Sequence, residues 1–450
     1  MTESGGGNEA SNIVRTVQKA NAPDLSPKEG LSLRHNFSWT FVGNIIYGAS
    51  QWAMIIAIAR FGSPVMVGEF ALAVAFVTPI FALTNLQLRS IQATDASNLY
   101  DFGHYLGLRI LSTFGGIICI IGGVLFAGYT LWIALIILSM GLAKAIENIS
   151  DVFYGLQQQH ERMDAVATSK IVRGPLSLLG LSVTIWATQS IAWGIVAIAV
   201  CRLLVLMTVD IPIGRYRLRD LQDNPTIKGP KPIFDRRTLM QLAWLAFPMG
   251  LVTMFISITT NIPRLILESA SDTYTLGLFA AIASLMAVGE QVNTALGQSA
   301  APRLARLYER RYIREHRILA LKLISVGVLL GIVGIAAAAG LGRLLLSMIY
   351  SPEYADYANV FVIIMIAALC AYVSSALGYT LTSLRRFWYQ TSVSVATMAI
   401  TVIASLVLIP PYGIEGAAWT IVVAFTIQIP LKVIAIVRIT GISIMRPAHV

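Results

Sequence analysis

Long uninterrupted apolar segments recur along the chain and predict membrane-spanning helices. Residues 37–59, 110–143 and 357–384 contain no Asp, Glu, Lys or Arg. About 20 consecutive apolar residues cross the hydrocarbon core of a bilayer as an α-helix. The segments are continuous rather than alternating in polarity, which favours helices over a β-barrel. The pattern therefore predicts an all-α integral membrane protein.

The same pattern predicts about twelve transmembrane helices in two six-helix lobes. The predicted spans are 37–59, 67–88, 106–128, 131–156, 166–188, 190–209, 240–266, 274–302, 318–340, 357–382, 388–410 and 414–436. The polar, proline-containing segment 210–239 is interpreted as a cytoplasmic linker between an N-terminal lobe, 36–209, and a C-terminal lobe, 240–440. Residues 1–35 lack the apolar core of a secretory signal peptide and are interpreted as a disordered cytoplasmic tail, and 441–450 as a second tail.

Charge and composition support this class. The chain is 56% hydrophobic and 12% charged. Its mean hydropathy is +0.71. The net charge of +10 lies mostly in alternate loops, seven basic residues falling in 210–239 alone, whereas opposite loops carry acids such as Glu268 and Asp272. Basic loops mark the cytoplasmic side, so both termini are predicted to be cytoplasmic, and no nucleic-acid partner is expected. The three cysteines fall inside predicted spans, and we expect no disulfide, metal site or other cofactor.

One predicted span, 274–302, carries a polar face. Glu290, Asn293, Thr294, Gly297 and Gln298 follow i, i+3, i+4, i+7, i+8 spacing and share one side of a helix. Polar groups with a carboxylate inside a membrane are costly, and normally face a cavity.

An internal repeat links this span to the N-terminal lobe. Gly68–Ala71 aligns with Gly277–Ala280, which places Asn85 opposite Thr294. Both copies begin on the same side, so they are parallel repeats related by an axis along the membrane normal, as in transporters.

Several motifs, in this order and spacing, resemble polysaccharide-biosynthesis flippases of the Wzx-like kind. They are Gly68-Glu-Phe-Ala-Leu-Ala, the stretch Thr78–Arg89, Gln92-Ala-Thr-Asp95, Tyr154-Gly-Leu-Gln-Gln-Gln-His-Glu-Arg162, Asn261-Ile-Pro-Arg264, Leu276-Gly-Leu-Phe-Ala-Ala, Ala300-Ala-Pro-Arg-Leu-Ala-Arg306 and Gly413-Ile-Glu-Gly-Ala-Ala418. The resemblance covers 36–440. It implies two lobes around a central cavity, in the superfamily that also holds MATE-type drug exporters and the lipid II flippase.

The resemblance also implies a substrate and a location. The substrate is an undecaprenyl-pyrophosphate-linked oligosaccharide, moved from the cytoplasmic to the periplasmic leaflet of the inner (plasma) membrane for O-antigen, capsule or exopolysaccharide synthesis. Membrane lipids, a polysaccharide polymerase and a chain-length regulator are the implied partners.

The chemical groups of such a substrate indicate which residues could bind it. A pyrophosphate requires cations, and sugars require hydrogen-bonding groups in a wet cavity. The candidates for binding pyrophosphate and sugar are Arg264, Lys144, Lys170, Arg173, Arg202, Asn85, Asn293 and Gln298. Glu147 and Asp151 are expected to form a charge-pair gate with Lys170 and Arg173 at the cytoplasmic mouth, an alternative to a direct role of these cations in receiving the headgroup.

Glu290 is the candidate for ion coupling, by H⁺ or Na⁺, and a static hydrogen bond to a neighbouring helix is the alternative. No phosphate-binding loop of the GxxxxGK[ST] type is present, so direct drive by ATP is not expected.

Two other functions compete with the flippase. A MATE-type H⁺- or Na⁺-coupled exporter of small organic cations would share the fold, but basic residues in or beside the spans outnumber acidic ones here. A polyprenyl-dependent membrane enzyme would be expected to carry a large extracytoplasmic loop with catalytic groups, and no predicted outer loop is long. The sequence thus favours a transporter over an enzyme.

Overall fold

The computed structural model describes residues 33–95, 99–220, 231–384 and 387–445, and all regular structure in these ranges is helical. The helices are α1 Leu33–Phe61, α2 Pro64–Thr84, α3 Leu88–Thr94, α4 Phe102–Ala127, α5 Leu131–Gln159, α6 Met163–Thr188, α7 Ile191–Val205, α8 Ile211–Asp220, α9 Arg236–Ala270, α10 Thr273–Ser284, α11 Met286–Glu309, α12 Ile313–Ile349, α13 Ala358–Ser383 and α14 Phe387–Met445. Eleven helical segments in the described ranges are long and apolar enough to cross a membrane. The predicted all-α membrane fold is confirmed.

The last segment accounts for two predicted spans. Helix α14 is broken at Gly413, whose φ of 51° and ψ of −125° are not helical. A Cβ placed on Gly416 would overlap the carbonyl of Leu408, although eight residues of straight helix would separate them by about 12 Å. The chain therefore turns back between 388–410 and 414–436, and Pro410 and Pro411 precede the turn.

Several helices differ in extent from the apolar segments that predicted them. The span predicted to end at 209 continues through a π-helical turn, Leu206–Asp210, into α8, and α9 begins at Arg236 rather than at 240. The predicted span 274–302 is interrupted at Leu285, between α10 and α11. Helices extend beyond the hydrocarbon core, so hydropathy alone misplaces their ends. The predicted tails lie largely, and linker residues 221–230 entirely, outside the described residues.

The two lobes cross where the repeat glycines meet. A Cβ on Gly68 of α2 would overlap the carbonyl of Thr273, and a Cβ on Gly277 of α10 would overlap the carbonyl of Pro64. Each carbonyl lies four residues before the glycine of its own helix. The contact is thus reciprocal, as expected of two copies of one repeat.

Two further helix pairs join the lobes. Between α2 and α9, Thr253 Oγ1 donates to the carbonyl of Ala82 at 2.9 Å, and Gly250 packs against Leu83. Between α1 and α11, a Cβ on Gly48 would lie 3.2 Å from the side-chain nitrogen of Gln291. In each pair, the first helix of one lobe packs against the repeated polar helix of the other.

The segment that leads into the C-terminal lobe is attached to the N-terminal lobe. The Ile233 N–H donates to the carbonyl of Gly103 at 2.9 Å, and a Cβ on Gly107 would overlap the carbonyl of Ile233. Two residues later, Asp235 caps α9 by accepting from the Thr238 N–H at 3.1 Å.

Candidate functional site

A cavity of about 570 Å³ lies beside the N-terminal lobe, with Thr253 of α9 in its wall. Its polar lining comes from α1, α2, α3, α5, α6 and α9, and from the segment between α2 and α3. The polar lining residues are Tyr47, Thr78, Asn85, Gln87, Arg89, Ser90, Lys144, Glu147, Asn148, Asp151, Tyr154, Gln158, Lys170, Arg173 and Thr253. Asn85 directly follows the last residue of α2 and is 17 residues beyond Gly68, roughly 25 Å along the helix axis. The cavity and the glycine crossing therefore lie at opposite ends of the same helix.

Positive charge exceeds negative charge in this cavity. Four basic residues line it, Arg89, Lys144, Lys170 and Arg173, and only two acidic ones, Glu147 and Asp151. Behind the wall, the buried Arg109 and Arg202 pair with Asp151 and Glu147, and the buried Asp210 pairs with Arg173. The site suits an anion.

Asp151 connects a buried arginine with one at the cavity rim. Its carboxylate lies 3.1 Å from Nη2 of Arg109, whose side chain is 0% exposed, and 3.6 Å from Nη1 of Arg89. Arg109 also donates to the carbonyl of Asn85 at 2.9 Å, and Asn85 donates to Asn148 at 3.0 Å. Asp151 thus compensates the buried charge of Arg109, and the same hydrogen-bond network fixes the position of Asn85.

Glu147 is the second acidic centre of the cavity. It accepts from Lys144 at 3.1 Å, from Arg202 at 2.9 Å and from the Tyr47 hydroxyl at 2.9 Å. Arg202 also donates to the carbonyl of Ala143 at 3.2 Å and is 3% exposed. Arg202 therefore stands behind Glu147 and does not line the cavity.

Arg173 is fixed on two sides. It donates to Asp210 at 2.6 Å, and both side chains are buried. Its guanidinium also lies 5.4 Å from the centre of the Tyr154 ring, which has Arg89 at 5.4 Å as well. Asp210 ends the π-helical turn, a feature often found at functional sites.

The salt bridges of Glu147 and Asp151 differ from the pairing predicted for the charge-pair gate, although both carboxylates interact with Lys170 at longer range. Glu147 and Asp151 were expected to pair with Lys170 and Arg173, yet they pair with Lys144 and Arg202, and with Arg89 and Arg109. Partner choice depends on the rotation of each helix about its axis, which charge spacing along one helix does not specify.

Lys170 is left without an acidic partner within salt-bridge distance among the described residues. Its Nζ donates to Oδ1 of Asn44 at 2.8 Å. A neutral amide satisfies one of its three N–H donors and none of its charge. Asp151 and Glu147 act on its charge only from beyond salt-bridge distance. Lys170 is thus a cation in the cavity wall that has no direct carboxylate contact among the described residues.

The remaining predicted site residues lie in the C-terminal lobe, away from this cavity. Glu290 accepts from Ser375 at 2.9 Å and Thr294 at 3.2 Å, and Asn293 donates to the carbonyl of Tyr372 at 3.1 Å. Gln298 is exposed on the same helix. The polar face of α11 is therefore partly covered by α13, and the structure does not bring it together with Asn85 and Lys170.

Arg264 stands apart from both groups. Its Nη1 lies 3.3 Å from Oδ1 of Asn261, and no carboxylate of the described residues lies within salt-bridge distance. It does not line the cavity of the N-terminal lobe.

Comparison with known proteins supplies the family. The sequence profile described as "Polysaccharide biosynthesis protein" matches residues 33–308. The chain belongs to this family. It is 27% identical over 392 residues to the capsular polysaccharide biosynthesis protein CapF of Staphylococcus aureus, covering 86% of this chain and 95% of CapF.

Solved structures share the fold of this chain at low identity. The lipid II flippase MurJ in an inward closed conformation has a TM-score of 0.70 at 9% identity, covering 91% of this chain and 90% of MurJ. A MATE family multidrug transporter in an inward-facing conformation has a TM-score of 0.63 at 13% identity, covering 94% and 98%. The chain therefore shares its fold with MurJ and with MATE family transporters.

Besides Arg89, three charged residues that the structure places in these clusters are not among the site residues predicted from the sequence. They are Arg109, Asp210 and Lys432, which lie at the start of one predicted span, at the edge of the predicted linker and inside the last span. Charge inside a predicted span was a sufficient signal for Arg109 and Lys432. Asp210 had no such signal, because its helix continues through the π-helical turn beyond the apolar segment.

Proposed function

We propose that this member of the family is a flippase for an undecaprenyl-pyrophosphate-linked oligosaccharide, in the plasma membrane. The observation that carries the proposal is the excess of positive charge in the cavity, where Lys170 donates to a neutral amide and forms no salt bridge with any described residue. A pyrophosphate diester is an anion with several acceptor oxygens, and cations of this kind are its usual protein partners.

The arrangement favours an anionic headgroup over a cationic cargo. A small organic cation would meet four basic side chains and two carboxylates, and both carboxylates already have cationic partners. The polar amides and hydroxyls around Asn85, Asn148 and Gln158 offer hydrogen bonds to sugars. A cationic cargo of a MATE-type exporter would therefore find no carboxylate in this cavity that lacks a cationic partner.

Transport follows alternating access in this proposal. With the predicted orientation, the cavity opens toward the cytoplasm, and the lobes touch at the periplasmic end through Gly68 and Gly277. A headgroup bound near Lys170 would be carried outward as the lobes separate there, while the lipid tail stays in the bilayer. The polymerase and chain-length regulator implied by the resemblance would act on the product.

Complementation tests the proposal. We expect the wild-type chain, Lys170→Arg and the control Lys322→Ala, an exposed lysine of α12, to restore surface polysaccharide in a flippase-null strain. We expect Lys170→Ala, at equal membrane level, to restore at most a tenth of it. Wild type that rescues no polysaccharide pathway but exports cationic dyes would overturn the function. Full rescue by Lys170→Ala would overturn the site.

A further inference from the structure

A second polar cluster lies between α11, α13 and the last part of α14. Lys432 Nζ donates to the carbonyl oxygen of Ser374 at 2.9 Å, to its hydroxyl oxygen at 2.7 Å and to Oε1 of Gln428 at 2.9 Å. Glu290 accepts from the adjacent Ser375 at 2.9 Å. A carboxylate and an ammonium are thus joined through two consecutive serines.

The ammonium occupies a cage of oxygen atoms. A backbone carbonyl, a hydroxyl and a side-chain amide oxygen surround Nζ, and these are the donors that hard metal cations take from proteins. Gly378 leaves room beside it, since a Cβ there would lie 3.7 Å from Nζ. A free Na⁺ would need the volume and the oxygens that Lys432 already uses.

Glu290 and Lys432 form an isolated charge pair. Among the described residues, Lys432 is the only charged side chain that interacts with Glu290, and Glu290 is the only one that interacts with Lys432. They do not reach salt-bridge distance, so the two serines, and not a direct contact, link them. The other titratable groups facing Glu290 are the phenols Tyr372 and Tyr379 of α13, and the Tyr372 hydroxyl donates to the carbonyl of Met286 at 2.8 Å.

We propose that Lys432 is a built-in cation in the C-terminal lobe, and that the ion coupled to transport is a proton taken up by Glu290 rather than Na⁺. The inference rests on the proposed transport function. The carboxylate takes a proton from water on one side of the membrane and returns it on the other, with no redox change. Protonated Glu290 no longer compensates Lys432, and an uncompensated ammonium in a membrane favours the conformation that gives it water.

Infrared difference spectroscopy of the full chain in detergent tests this, with buffer, NaCl and choline chloride as the only probes. For wild type we expect a protonated-carboxyl band that changes with pH, is lost in Glu290→Gln, and is unchanged when choline replaces Na⁺. Lys432→Ala empties the cage, and a Na⁺-dependent carboxylate band is expected only in this variant. Lys322→Ala is the matched control.

Each contrary result is decisive. A Na⁺-dependent band in wild type that Glu290→Gln removes would overturn the proposal. A well-folded Lys432→Ala protein that stays indifferent to Na⁺ would also overturn it, because the cage would then not hold a cation. Lys432→Ser, which empties the cage equally and offers a hydroxyl to the freed oxygens, serves if the alanine variant does not fold. No lipid-linked sugar is present, so these results stand independently of the complementation assay.

Discussion

Gly68 and Gly277 occupy equivalent positions in the two lobes, and each packs against the carbonyl that lies four residues before the other. Only hydrogen fits at either Cα. The aligned residues of the two repeats contact each other. The contact that closes this end of the molecule is therefore made by the same position in both copies. In the predicted orientation this end is periplasmic, so the two glycines bring the lobes together on the outer side.

Substitution of either glycine is expected to force that end apart. We expect Gly68→Ala to lower stability by about 2 kcal/mol, as overpacking commonly does. Gly122→Ala, on a helix surface where a Cβ would meet nothing within 4 Å, is the matched control. Thermal unfolding in detergent measures both, and equal midpoints for the two variants would contradict the tight crossing.

The helices that carry these glycines are capped at corresponding residues. Ser63 accepts from the Met66 N–H at 3.4 Å, and Asp272 accepts from the Thr275 N–H at 2.7 Å. The hydrogen bonds from Thr275 hold the pKa of Asp272 below its ordinary value. The cap of α10 therefore depends on pH, and the cap of α2 does not.

We expect the Asp272 cap to stabilise the protein fully above the ordinary Asp pKa of about 3.9 and to lose this effect as the pH falls below it. Asp272→Asn is expected to keep a cap and to lose that part of the pH dependence, and Asp272→Ala to lose the cap. Thermal midpoints between pH 3 and 7 measure this. A pH profile unchanged in Asp272→Asn would refute it.

Variants of the buried pair Arg173 and Asp210 distinguish a structural role of Arg173 from a role in substrate binding. Asp210→Asn leaves a buried guanidinium uncompensated, and we expect a loss of about 3 kcal/mol. The double variant Arg173→Met/Asp210→Leu is expected to recover most of it, because both charges are removed. Thermal unfolding tests the stability. Full complementation by the stable double variant would remove Arg173 from the binding site, whereas loss of transport would retain it.

The cavity is expected to bind the headgroup without its glycan. Undecaprenyl pyrophosphate at 100 times its Kd would stabilise the wild type by about 2.7 kcal/mol, and we expect undecaprenol to give no comparable shift. Lys170→Ala is expected to lose most of the shift, and Lys322→Ala to retain it. A shift of equal size with undecaprenol would show that the tail, and not the phosphates, is recognised.

The sequence allowed the fold to be predicted more fully than the site. Apolar segments predicted helices because burial in lipid requires them, and the alignment of Gly68 with Gly277 predicted two related copies. The site depends on which side of each helix faces its neighbours. Asn85, Lys144, Lys170 and Arg173 share one cavity because α2, α5 and α6 are rotated toward it. Hydropathy does not define that rotation, so the residues that form salt bridges with Glu147 and Asp151 could not be predicted from it.

Lys432 illustrates the same limit. Its charge inside the last span was visible in the sequence, but its relation to Glu290, 142 residues earlier, arises only when α14 turns back at Gly413. A residue whose partner is brought near by a chain reversal leaves no local pattern.

The attachment of Ile233 to Gly103 sets a mechanical limit on the protein. Only two residues lie along the chain from this anchor to Asp235, where the first helix of the C-terminal lobe begins. Fully extended, they span roughly 7 Å. The start of α9 therefore stays close to α4. The opposite ends of α4 and α9 are not restrained by this hydrogen bond. In the proposed transport cycle, we therefore expect the two lobes to move least beside this attachment and most at the opposite membrane surface.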